Sequence, residues 1–322
     1  MYGYSHRRVS ASAAAVIATV VTLTPLRAVL HAQGSADVMR ISVERLAAGV
    51  VVLRGYANGS VLVVPTHDGL LLVDGQSSKR VAEADSALRT LSKARVRWVV
   101  TTHYHGDHVE GNEHWTSVGA EIIGHDNIAA QALKDTVITD FTQWHRTAAA
   151  PPSLPTRTVG DSATLDLGGE RVVLLHVPDA HTDGDLLIWF PRRDLLHTGD
   201  IVEIGAFPFI DWWAGGTLDG MISATERIIR LAGERTTIVP GHGPTIDRRR
   251  VQQYRTMLLT ARDRIGAAVH DGKTLDQVLA DAPLAAFADA YGGDRSAQRF
   301  TRLVYYGLTR RTEAGTSAAP RH

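Results

Sequence analysis

The chain has 322 residues, with 34 basic and 34 acidic side chains and a formal net charge of zero. This balance gives no electrostatic basis for binding nucleic acid or an anionic membrane surface. Cysteine is absent, which excludes a disulfide framework, a thiolate ligand and a thiol nucleophile, so any metal must be held by nitrogen and oxygen.

The first 35 residues read as an export signal. Arg7 and Arg8 precede an apolar, small-residue run over 11–23 that is too short to span a bilayer comfortably, and Pro25 and the small residues of 28–32 follow. This implies a periplasmic or extracellular protein with no stable membrane insertion once the signal is removed; an uncleaved membrane anchor is the competing reading. The length that remains is enough for one large or two small domains.

From Ile41 the chain reads as short strands over 41–46, 50–54, 60–64 and 70–73, with Gly49, Asn58-Gly59 and Asp68-Gly69 marking turns. Residues 78–92 carry Val81, Ala84, Leu88 and Leu91 at helical spacing. A strand over 96–101 leads into the histidine cluster described below. A helix is expected from Val109 to Trp115, a strand over 121–124 and a helix over 127–133. Residues 140–158 contain Pro151, Pro152 and Pro155 and read as a long irregular connection. The outline then repeats, with strands over 163–167, 171–177, 186–190 and 194–197, an amphipathic helix over 218–231 and a strand over 236–239. Two such halves imply two sheets packed face to face with helices outside. Residues 248–270 and 274–306 are helical in character and are expected to pack on the second half. Residues 315–322 are expected to fray.

The chain is organised around Thr102-His103-Tyr104-His105-Gly106-Asp107-His108. Three imidazoles and a carboxylate fall within six residues on a strand-to-helix loop, the kind of place where a rigid scaffold holds functional groups. If the chain stays extended at His103 and His105, their side chains share one face and Tyr104 takes the other. Gly106 permits a turn that brings Asp107 and His108 to an adjacent position. The arrangement suggests two neighbouring metal ions. His181, Asp200 and His242 also sit at the ends of expected strands, each in a segment rich in glycine or proline.

Together, these motifs resemble the metallo-β-lactamase fold superfamily. His103, His105, Asp107 and His108 match its His-x-His-x-Asp-His motif, and His181, Asp200 and His242 match its later histidine, acidic residue and final histidine. The resemblance spans roughly residues 41–245. It implies an α/β fold, a four-layer αβ/βα sandwich with the site on one edge. The catalytic domain is read over 36–250, and the helical C-terminal extension over 251–322 lies outside the resemblance. The resemblance also implies that His103, His105 and His181 hold one metal, that Asp107, His108 and His242 hold a second, and that Asp200 bridges them. Asp74 resembles the family's buried aspartate beneath the first motif, where it fixes a ligand loop; a turn-forming Asp-Gly is the competing reading. Thr182 and Thr198 are candidates for similar support. His114, His125, His145, His176 and His197 are read as ordinary histidines.

Imidazole and carboxylate ligands suit two Zn²⁺ ions, with iron or manganese as alternatives. Two such ions share and activate a water, so no serine or cysteine nucleophile is needed. Asp107 is the candidate catalytic residue, orienting that water or moving its proton. The implied enzyme is a metal-dependent hydrolase of a small-molecule carbonyl substrate: an ester, lactone, thioester or β-lactam-like amide. The best-known β-lactamases of the family carry cysteine where Asp200 stands and lysine where Glu203 stands. An acid at 203 repels a substrate carboxylate, which counts against that binding mode. The hairpin tip at 56–59 and the loop at 204–213, with four aromatics in seven residues, are candidates for the pocket wall; for the loop, folding back into the core is the competing reading. The alternatives are a mononuclear iron sulfur dioxygenase using His103, His105, His181 and Asp200 or fewer, and a non-catalytic periplasmic binding protein on the same fold. The sequence carries no signal for oligomeric state.

Overall fold

Leu70–Val73 is buried at all four positions, the pattern of a strand covered on both faces. The structure, a computed structural model, describes residues 41–55, 58–138 and 144–316, together with Met1. Met1 apart, the expected export segment lies outside the described residues. Among them, no helix is long and apolar enough to cross a membrane.

The first half contains β1 (Ser42–Arg45), β2 (Val51–Gly55), β3 (Asn58–Pro65), β4 (Leu70–Val73), α1 (Val81–Leu91), β5 (Val96–Val100), α2 (Gly106–Val109), α3 (Asn112–Ser117), β6 (Glu121–His125), α4 (Asp126–Ala132), β7 (Thr136–Ile138), β8 (Trp144–Arg146) and β9 (Arg157–Val159). The second half contains β10 (Ser162–Leu167), β11 (Glu170–Val177), β12 (Asp185–Phe190), β13 (Leu195–His197), α5 (Leu218–Leu231) and β14 (Thr237–Val239). Three helices close the chain: α6 (Arg248–His270), α7 (Leu275–Ala280) and α8 (Gly293–Thr316).

One sheet has the order β1-β2-β3-β4-β5-β6-β9 and the other β10-β11-β12-β13-β14, while β7 and β8 form a separate hairpin. Alternation along each strand divides its apolar residues between two cores. Val52, Leu62, Leu71 and Val100 from the first sheet pack against Leu174, Leu186 and Ile188 from the second. The opposite face of the first sheet, with Leu53, Val63 and Leu72, packs on Val81, Ala84 and Leu88 of α1 and on Trp115. Leu187, Leu196 and Ile238 on the outer face of the second sheet pack with Met221 and Ile228 of α5, Tyr254 and Leu258 of α6 and Phe300 of α8. The result is the four-layer αβ/βα sandwich, with the C-terminal helices in the outermost layer.

Several local expectations are corrected. The helix expected over 109–115 is two short helices, α2 and α3. Asn58 and Gly59 begin β3 rather than forming the turn, and residues 56–57 lie outside the described set. The connection at 140–158 contains β8, and its end leads into β9, which pairs in parallel with β6. The expected C-terminal helix is broken between α7 and α8 by Pro283 and by Gly292 and Gly293, which have φ of +89° and +83°, a conformation that glycine adopts without a Cβ penalty. α8 runs on to Thr316.

The strand directions place the functional loops. β4, β5 and β6 are parallel, as are β13 and β14, and two successive antiparallel pairings align β11 with β13. The loops that follow β4, β5, β11, β13 and β14 therefore leave one edge of the sandwich. There Leu186 N–H donates to the Thr102 carbonyl at 2.9 Å and Ser60 N–H to the Gly241 carbonyl at 2.8 Å, joining the two sheets.

Candidate metal centre

All seven candidate ligands meet at this edge. The chain leaves β5 at Val100 and reaches α2 with His105 as the residue before its first turn. His105 Nδ1 lies 3.1 Å from His103 Nε2 and 2.9 Å from His181 Nε2. The other two histidines stand around a carboxylate: His242 Nε2 is 3.1 Å and His108 Nε2 3.5 Å from Asp107 Oδ2. Asp200 lies between the groups. Its Oδ2 is 3.7 Å from His103 Nε2, 3.8 Å from His181 Nε2 and 3.4 Å from His242 Nε2, and its Oδ1 is 3.4 Å from His108 Nε2. Two clusters of possible metal donors result, His103-His105-His181-Asp200 and Asp107-His108-His242.

The outward-facing ring nitrogens of four histidines have partners of their own. His103 Nδ1 lies 3.0 Å from Thr102 Oγ1, His105 Nε2 lies 3.0 Å from Asp211 Oδ2, His108 Nδ1 lies 2.8 Å from Asp74 Oδ2 and His181 Nδ1 lies 2.8 Å from the Phe209 carbonyl. A carboxylate or carbonyl on one ring nitrogen makes it the N–H donor and leaves the opposite nitrogen with its lone pair directed inward. The inward nitrogens of the first cluster are spaced close to the ~3.3 Å edge that tetrahedral ligation at 2.0–2.1 Å requires. His108 Nε2 and Asp200 Oδ1 are buried and make no hydrogen bond. Atoms of this kind are costly to bury unless something else satisfies them. The donor set fits transition-metal ions.

The electrostatics divide along the same line. Burial, reinforced by the neighbouring imidazoles, holds His103 well below the ordinary histidine value and His181 at about 4. Both are therefore neutral, as ligation requires. Burial also disfavours charge on His108 and His242, but it is outweighed by Asp107 and Asp200, with Asp74 acting on His108 as well, and both histidines are held above their ordinary value. Asp107 and Asp200 stay well below the usual carboxylate range because these histidines outweigh their burial. The carboxylates thus draw positive charge to this pocket, through the same negative field that would attract a cation.

The supporting residues are partly those expected. Asp74 follows β4 with φ of +67°; its Oδ1 accepts from Thr102 N–H at 2.7 Å and its Oδ2 from Thr102 Oγ1–H at 3.0 Å. Thr182 Oγ1 donates to Asp185 Oδ1 at 2.6 Å, and Asp185 Oδ2 accepts from the backbone N–H groups of His181 and Thr182. Asp185 therefore shapes the His181 loop. Thr198 instead bonds the Gly199 carbonyl. His197 accepts from Gly199 N–H at 3.1 Å beside Asp200, while His114 pairs with Asp85 and His125 stacks on His176 at 3.7 Å. The side chain of His145 lies outside the described set.

Sequence reading placed Gly59 and Asp211 in candidate pocket-wall stretches but missed their contacts with the ligands, and it missed Arg146 altogether. Asp211 lies between aromatic residues and looks like any loop acid. Gly59 N–H donates to Asp107 Oδ2 at 3.0 Å, and a Cβ there would meet His108 Cε1 at 2.8 Å. In the aromatic loop, the Phe209 ring lies 6.0 Å from that of His105 and 6.2 Å from that of His181. Phe207 turns into the core against Tyr291 and Phe300. The loop thus sets one aromatic ring beside the histidines and another in the core.

Residues 54–245 match the family model of the metallo-beta-lactamase superfamily. The chain is 24% identical over 241 residues to a metallo-beta-lactamase type 2 of Bacillus cereus, covering 72% of this chain and 88% of that protein. It is 28% identical over 182 residues to a hydroxyacylglutathione hydrolase of Brucella anthropi, covering 54% and 60%. A solved metallo-beta-lactamase from Pontibacter korlensis superposes with a TM-score of 0.57 at 20% identity, covering 68% of this chain and 99% of that one. With its fold, its edge site and a family match extending over more than half its length, the chain belongs to the metallo-beta-lactamase superfamily.

Proposed function

We propose that the protein is a metal-dependent hydrolase that uses two zinc ions to cleave a carbonyl substrate: an ester, lactone, thioester or β-lactam-like amide. The supporting observation is the place of Asp200, whose two oxygens lie within 3.8 Å of ring nitrogens from both clusters. In this reading His103, His105 and His181 would hold one ion, Asp107, His108 and His242 would hold the other, and Asp200 would be shared between them. When bound, the pair supplies an activated water and Lewis-acid polarisation of the scissile bond.

The chain's own groups supply position and proton handling. The Asp107 and His242 side chains, 27% and 21% exposed, form the open rim, whereas His103, His108 and His181 are closed off. Asp107 is held by Gly59 N–H through one oxygen and orients the attacking water or takes its proton. Phe209 gives an apolar wall beside His105 and His181. Glu203 lies three residues past Asp200, and burial raises its carboxyl to about 7. An acid there offers no cationic anchor for a substrate carboxylate, which favours neutral carbonyl substrates.

The single-iron dioxygenase reading leaves Asp107, His108 and His242 without a role, and a purely binding role leaves seven converging donors without one. Export of the protein through residues 1–35 is part of this proposal, and N-terminal sequencing of the mature protein tests it. The function is tested by metal analysis of purified protein, followed by a zinc-loaded panel of β-lactams, lactones, hydroxyacylglutathione and phosphodiesters. Near two equivalents of metal and chelator-sensitive turnover are expected. Full activity in metal-free protein contradicts the reading.

A further inference from the structure

His105 is joined to the β7–β8 hairpin by a run of buried polar groups. Arg146, at the end of β8, donates from Nη1 to the Tyr104 hydroxyl. Tyr104 donates in turn to Asp211 Oδ2, and the same oxygen faces His105 Nε2 at 3.0 Å. Asp211 Oδ1 accepts from Ala214 N–H at 3.1 Å, which fixes the carboxylate to its own loop. The guanidinium lies 4.7 Å over the Tyr104 ring and 4.0 Å from Asp211 Oδ2. Asp211 is fully buried, Tyr104 is 3% exposed and Arg146 9%, so these bonds are largely shielded from bulk water.

Each member has a reason to be there. A buried carboxylate is stable only when paired and hydrogen-bonded. Asp211 meets that need with Tyr104, Ala214, His105 and the nearby guanidinium. In return it accepts the His105 Nε2 proton and leaves Nδ1 facing His103 and His181. Tyr104 and Arg146 also line a cavity of about 460 Å³ whose wall includes Asp107. The chain of bonds therefore runs beneath the space next to the candidate water-handling carboxylate.

We propose that Arg146 is a positioning residue which, through Tyr104 and Asp211, fixes the tautomer and orientation of His105, so that the end of β8, which lines the cavity, also organises the His103-His105-His181 cluster. This rests on the metal reading above and assigns no contact between Arg146 and substrate.

Cobalt titration of chelator-treated protein tests it, with visible absorption reporting geometry and chelator competition reporting affinity. Tyr104→Phe and Arg146→Met are expected to weaken one of two cobalt equivalents about 10-fold and to alter its absorption band. On a substrate found with the panel, kcat falls while KM holds, and Arg146→Lys recovers part of the loss by restoring charge beside Asp211. Two equivalents bound by both variants with wild-type affinity and spectrum overturn the proposal, as does a rise in KM with the cobalt signal unchanged. If Arg146→Met does not fold by circular dichroism, Tyr104→Phe, which removes a single oxygen, decides. Wild-type protein that takes up no cobalt overturns the two-ion reading itself and this proposal with it.

Discussion

Asp74 Oδ2 sits 2.8 Å from His108 Nδ1, and the same side chain holds the backbone N–H and the hydroxyl of Thr102. One buried carboxylate at the end of β4 thus fixes both the start of the histidine loop and a ring in the helix after it. Asp74→Asn tests this with little backbone disturbance, because asparagine tolerates the positive φ found here. The new amide N–H₂ faces a donor on at least one side. Affinity for the ion assigned to Asp107, His108 and His242 is expected to fall about 10- to 100-fold, measured by zinc competition with a chromophoric chelator. Unchanged affinity for both ions shows that Asp74 acts on folding alone.

Asp200→Ala is expected to weaken both metals together, since one carboxylate lies within 3.8 Å of histidines in each cluster. Metal content after gel filtration should fall from near two equivalents to well below one, and turnover by at least about 100-fold. Loss of a single equivalent, with the other retained at full affinity, contradicts the shared role.

The donors were legible in the sequence because their signals are local. Each follows an apolar strand, and glycine or proline holds the turn beside it. The two packed sheets were legible because strands followed by a helix recur in each half, with runs such as Leu70–Val73 apolar throughout. What stayed hidden depends on distant partners. Asp211 gains its meaning only where Tyr104 and His105 approach it from more than a hundred residues away. β9 is three residues long beside a proline-rich stretch, and it becomes a strand by pairing with the edge of β6. A turn was read at Asn58-Gly59 because that pair is a strong turn signal, whereas both residues belong to β3 and Gly59 is needed for its close approach to His108.

A pH effect separate from the metal site is expected at the β6–β11 contact. His125 is 5% exposed and stacks on His176. Burial, then the neighbouring imidazole, lower it to about 4, against the opposing pull of Asp126 and Asp161. Between about pH 6.5 and pH 4 the unfolded chain binds a proton at this residue that the folded chain refuses. Stability therefore rises with pH across that window and is lost as pH falls through it. Urea midpoints measured from pH 7.5 to 4.5 should show a shallower acid decline in His125→Gln than in the parent. Parallel curves contradict the assignment.

Gly241→Ala separates possession of the ligands from their placement, because it leaves all seven donors in the chain. A Cβ at 241 would stand 2.0 Å from Asp200 Oδ1 and 3.0 Å from the Gly199 carbonyl carbon, and real Cβ atoms do not approach so closely. The backbone gives little room, since Gly241 N–H bonds the Gly199 carbonyl at 2.9 Å and its own carbonyl accepts from Ser60 N–H at 2.8 Å. The methyl group must push Asp200 out of the space between the histidine clusters. Overpacking of this kind typically costs about 1–3 kcal/mol, so a folded protein with a lowered melting temperature is expected. Its metal content should drop as in Asp200→Ala, although the carboxylate is still present. Retention of two equivalents means that Asp200 has slack at this edge, and that the close packing of Gly241 on its oxygen does not set the metal geometry.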